Sequence, residues 1–134
     1  MTQNIILKII KERCKSTLVS HLGIEITYAD REKVEGKMPV DERTCQPYGV
    51  LHGGASVAFS ETLGSIGGQI AAGEQNRAMG QQINSNHIRP VKKGYVTGVA
   101  KIIHKGKKSQ LWEIKVFNEE KKLICNSQLT LAIL

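Results

Sequence analysis

Between Leu51 and Gly73 the chain carries no proline, but Gly53, Gly54, Gly64, Gly67 and Gly68 recur there among Ala, Leu and Ile. The lack of proline allows one long helix. Each glycine inside a helix nevertheless costs about 1 kcal/mol relative to alanine. Several of them in one helix make sense only if something packs very close to its backbone, and a sheet wrapped around the helix supplies that reason.

The rest of the chain provides such a sheet. Segments near 78–88, 94–105, 109–118 and 122–133 read as strands, divided by Pro90-Val91-Lys92-Lys93-Gly94, Lys105-Gly106-Lys107-Lys108 and Asn118-Glu119-Glu120-Lys121-Lys122. Upstream, Ile24–Tyr28 and Lys33–Met38 alternate as the arms of a hairpin that ends at Pro39. Residues 3–19 place Ile5, Ile6, Ile9, Ile10 and Cys14 on one face, which predicts an amphipathic helix capped by Thr2. The order helix, two strands, long helix, four strands is that of a single α+β domain over residues 1–134. Aromatic residues make up only 4% of the chain, so the core must rest mainly on Ile, Val and Leu.

The net charge of +7 draws polyanions in general, but no nucleic-acid-binding motif accompanies it. No apolar run approaches the roughly 20 residues that span a bilayer, and Met1–Lys8 lacks the pattern of a secretory signal. Cys14, Cys45 and Cys125 are odd in number and widely spaced, which favours reduced thiols and a cytoplasmic location. The spacing of His52, His87 and His104 matches no common zinc pattern, so no metal is expected.

Chemistry concentrates in Gln46–Ser65, which reads as a turn, then His52-Gly53-Gly54 opening a helix, then Glu61 two turns along it. The first amides of a helix lack intrahelical partners and carry the positive end of its dipole. A glycine there lets a carbonyl oxygen approach the backbone, as an oxyanion hole requires. Taken singly, Glu61 could be a solvated surface carboxylate and His52 a capping residue; only their joint spacing points to a site. Gly53 and Glu61 are about 12 Å apart along a helix axis, too far to serve one carbonyl carbon. If both act in one reaction, they come from different subunits of a two-fold dimer.

That joint pattern, together with Met38–Asp41, Ile83–Arg89 and the ending Ser127–Leu134, resembles the hotdog-fold acyl-CoA thioesterases of the 4-hydroxybenzoyl-CoA type. Within that group the resemblance is nearest to the dihydroxynaphthoyl-CoA thioesterases and their enterobactin-proofreading relatives, and it covers nearly the whole chain. It implies a long central helix wrapped by an antiparallel sheet, hydrolysis of an acyl-CoA, and active sites shared within a homodimer, with two dimers forming a tetramer. It implies that Glu61 attacks the thioester or activates water, that Gln46, His52 and Gly53 polarise the carbonyl, and that Ser65 assists the water or the carboxylate. For CoA it implies Gly80, His87, Arg89, His104, Lys105 and Lys107, with Arg89 and the lysines as phosphate partners. CoA is then part of the substrate, and no separate cofactor is expected. Tyr48 and Phe59 are candidates for contact with an aromatic acyl group.

Two other readings remain open at this point. One is a broad-range aryl- or acyl-CoA thioesterase of the phenylacetate-degradation type. The other is a CoA-binding hotdog protein without catalysis, against which Glu61 itself speaks.

Overall fold

The glycine-rich segment is one unbroken helix, and the sheet does approach it closely. The computed structural model describes residues 1–134. In chain order its elements are α1 (Gln3–Cys14), α2 (Leu18–His21), β1 (Glu25–Ala29), β2 (Lys33–Val40), α3 (Gly53–Ala72), β3 (Ala78–His87), β4 (Gly94–Lys105), β5 (Ser109–Phe117) and β6 (Leu123–Ile133). The strands form one sheet in the order β1-β2-β4-β5-β6-β3, with every neighbouring pair antiparallel. With 20 residues α3 is about 30 Å long, and it lies across the inner face of that sheet. It ends at Gly73, whose φ of 84° suits glycine best.

Strand alternation sets the core. On β5, Gln110, Trp112, Ile114 and Val116 point inward and are buried; on β6, Cys125, Ser127, Leu129 and Leu131 do the same. They meet Phe59 and Leu63 of α3, both fully buried. The small residues of α3 face the largest side chains. A Cβ at Gly67 would fall on the Trp112 ring, one at Gly64 would lie 2.7 Å from Leu129 Cδ2, and one at Gly68 would meet Leu131. The helix thus gives up intrinsic propensity in exchange for contact with a buried indole and two leucines.

Two boundaries depart from the sequence reading. The first helix stops at Cys14 rather than running to residue 19, and the chain turns through Ser16, at φ 57°. Thr17 Oγ1 takes the Cys14 carbonyl at 2.6 Å, so side-chain bonding replaces the next helical turn. The cap itself is as expected, with Thr2 accepting from the Ile5 amide. The second departure is β2, which continues through Pro39 to Val40. Its pairing with β1 reaches only Lys37, so at Pro39 that side of the strand is free and a residue without N–H is tolerated. No helix is long and apolar enough to cross a membrane.

Candidate functional site

The loop before α3 is folded back on itself. The Gln46 amide donates to Val50 O at 2.8 Å and the His52 amide to Thr44 O at 2.8 Å, with Gly49 at φ 79° in the bend. Its tip is exposed, Tyr48 at 91%, and the Gln46 side-chain oxygen accepts from the Tyr48 amide. His52 is the N-cap of α3: its Nδ1 accepts from the Gly54 amide at 2.7 Å. In a neutral imidazole the proton then belongs to Nε2, which leaves an N–H free to donate to a ligand. Gly53 is the first residue of the helix, so its amide has no intrahelical acceptor. Beside it stands His87 from the end of β3; a Cβ on Gly53 would lie 2.8 Å from His87 Nε2.

Glu61 and Ser65 lie one turn apart on α3 and line a cleft of about 380 Å³ with Cys14, Leu18, Ala58 and Ile66. None of the chain's ion pairs uses Glu61. Its carboxylate rests against Gly80 of β3, where any side chain would collide with it. A second, smaller cleft, which includes Arg43, Cys45, His52 and Gly54, adjoins the first across Leu18 and Ala58.

One chain does not unite the residues expected to act together. Because α3 is unbroken from Gly53 to Ala72, the roughly 12 Å between Gly53 and Glu61 stands. The expected CoA residues also split. Gly80 pairs with Leu131, and so does Gln110, which places the β4–β5 turn with His104, Lys105 and Lys107 at the Gly80 end of the sheet. His87 and Arg89 lie at the far end of β3, some 23 Å away at strand spacing. There Arg89 Nη1 donates to Leu123 O at 2.8 Å.

Phe59 corrects an expectation. It is fully buried, with its ring against Gly98 of β4, and so belongs to the core and has no surface to offer an acyl group. The cleft beside Glu61 is walled instead by Cys14, Leu18 and Val19, which the sequence reading did not single out. The helix-poor pair Ser16-Thr17 was the available signal, since a break there lets the chain fold back over α3.

The thioesterase superfamily matches residues 48–125. The chain is 42% identical over 120 residues to a 1,4-dihydroxy-2-naphthoyl-CoA hydrolase of Escherichia coli, covering 90% of this chain and 88% of that one. To the proofreading thioesterase EntH of Cronobacter turicensis it is 45% identical over 118 residues, covering 88% and 86%. A crystal structure of a thioesterase from Haemophilus influenzae superposes with a TM-score of 0.92 at 47% identity, covering 96% of this chain and 90% of that one. A helix start with free donors, a carboxylate in a cleft and these relatives agree, and the chain belongs to the thioesterase superfamily as a thioester hydrolase of the hotdog fold.

Proposed function

We propose that the chain hydrolyses an aromatic acyl-CoA, with 1,4-dihydroxy-2-naphthoyl-CoA the first candidate, at two sites shared by a homodimer. The observation that carries the shared site is a pair of contacts on one strand: Gly80 against Glu61, and His87 against Gly53. β3 is an edge strand, bonded to β6 on one side only. A two-fold axis at Asn84 would pair β3 with its copy, and the extra residue at the register shift between Gly80 and Gln82 would set residue 80 of each opposite residue 87 of the other. Glu61 would then face the partner subunit's Gly53 and His52. The same pairing would bring Lys105 and Lys107 toward the partner subunit's Arg89, joining the two halves of the CoA set.

In that arrangement the thioester carbonyl accepts from the Gly53 amide and from His52 Nε2–H, which stabilise the negative charge that develops on oxygen. Glu61 takes the proton of a water that adds to the carbonyl carbon, or adds to that carbon itself and is released by water. The C–S bond breaks and the sulfur leaves with a proton as CoA thiol. Gln46 orients the carbonyl and Ser65 the water. Tyr48, at the exposed loop tip, would meet an aromatic acyl group. The naphthoyl choice rests on the name of the Escherichia coli relative.

The test is CoA-thiol release across naphthoyl, benzoyl and straight-chain acyl-CoAs. The highest kcat/KM is expected for an aromatic acyl group; a preference for straight chains would move the enzyme to the broad-range reading. Glu61→Gln is expected to lower kcat by at least about 100-fold. A variant with half the wild-type rate would remove Glu61 from the mechanism.

A further inference from the structure

His87 reaches the start of α3 with one face of its ring, while its other nitrogen points into the protein. Nε2 is the atom nearest to where a Gly53 side chain would begin, and Nδ1 lies 3.7 Å from Cys125 Sγ. The two residues are register partners across β3 and β6. Behind the thiol runs a short polar line. Cys125 Sγ is 3.8 Å from Ser127 Oγ, which is 2.6 Å from Ser85 Oγ, and Cys125 and Ser127 are each 1% exposed.

We propose that Cys125 is a positioning residue: backed by Ser127 and Ser85, its thiol donates to Nδ1 of His87 and so presents His87 Nε2–H at the helix start. The direction follows from what each atom does best. Thiol sulfur is a weak acceptor, whereas an unprotonated imidazole nitrogen is a good one. Burial pushes the Cys125 thiol up, which keeps its proton in place to be donated, while hydrogen bonds from Ser127 and Ser85 pull the other way. In this arrangement Ser85 donates to Ser127 Oγ and Ser127 donates toward the sulfur, which leaves the thiol hydrogen for the ring. In the opposite tautomer His87 would turn a lone pair toward the position of the carbonyl oxygen and repel it.

His52 reaches the same end by another route, since its Nδ1 is occupied by the Gly54 amide. The helix start would then offer three donors: the Gly53 amide and two Nε2–H groups. This rests on the reading of that helix start as the carbonyl site.

The experiment compares Cys125→Ser, Cys125→Ala and Cys125→Val with the wild type, using the full chain. Long-range nitrogen–proton NMR on the unliganded protein reads the His87 tautomer, and CoA-thiol release reads kcat and KM. The wild type and Cys125→Ser are expected to hold the proton on Nε2, and Cys125→Ala and Cys125→Val to lose that preference. Kcat should fall on the order of five-fold in the last two, the worth of one hydrogen bond, with KM little changed and Cys125→Ser restoring the rate. A wild-type proton on Nδ1, or a Cys125→Val protein with the wild-type tautomer or kcat, overturns the proposal. The two readings fail separately: if no acyl-CoA is hydrolysed, the catalytic reading of the helix start falls, while the expected tautomer pattern still supports the thiol's hold on His87.

Discussion

The space a side chain at position 80 would need is already filled by the carboxylate of Glu61. Gly80 lies on the exposed edge strand β3, in a part of the ladder where the register shifts before Gln82. Within the chain, Glu61 supplies all three of the atoms nearest to where a side chain there would begin.

Gly80→Ala should leave the fold intact, because the group that must move is the flexible end of a glutamate. Activity should suffer instead, since displacing a reacting group by about 1 Å can cost 100-fold. The expected result is a kcat lower by about 10- to 100-fold with an unchanged urea midpoint. Wild-type turnover in this variant would mean that the position of Glu61 along α3 is not critical.

Gly67→Ala makes the opposite separation. Its new methyl would enter the Trp112 ring, which is fully buried and tied by Nε1 to Gln110 Oε1 at 2.9 Å. Gln110 in turn donates to Gly68 O, so the indole has little room to withdraw. Overpacking of this kind costs about 1–3 kcal/mol. Trp112 is the chain's single tryptophan, so urea unfolding followed by its fluorescence reports from the strained spot itself.

Ser60→Ala should raise stability. The Ser60 hydroxyl is buried in the core face of α3 and has no hydrogen-bond partner. Removing an unpaired buried hydroxyl recovers its desolvation cost of about 1 kcal/mol or more, and alanine is also the better helix former. A higher urea midpoint at an unchanged slope is the expected reading. A lower midpoint would show that the hydroxyl is satisfied in solution.

The strands were legible because side-chain alternation and turn chemistry are local. Residues 109–118 were expected as a strand and β5 ends at Phe117, one residue earlier. The long helix was legible for an energetic reason, since its glycines needed a neighbour. Phe59 could also have been read correctly: it lies four residues after Ala55 and four before Leu63, on the face that α3 buries. The contact between Glu61 and Gly80 had no such local trace. It depends on β3 pairing with β6 rather than with β4, its successor in the chain, and sheet order is set by packing across the whole domain. The end of α1 was missed because one Thr17 hydroxyl outcompeted a helical amide for the Cys14 carbonyl.

Subunit sharing has a direct test, because each site would take Glu61 from one chain and His52 from the other. Glu61→Gln and His52→Ala homodimers should each be nearly inactive. His52→Ala also loses the cap that accepts from the Gly54 amide, worth about 1 kcal/mol, so its folding is checked first by circular dichroism. If the two variants are unfolded together and refolded at equal amounts, about half of the dimers should be mixed. In a mixed dimer one site has both defects and the other has none. The mixture should therefore recover about a quarter of wild-type activity, from two preparations that have almost none. Recovery requires Glu61 and His52 to act across the interface. If both acted within one chain, every chain in the mixture would carry a defect and no activity would return.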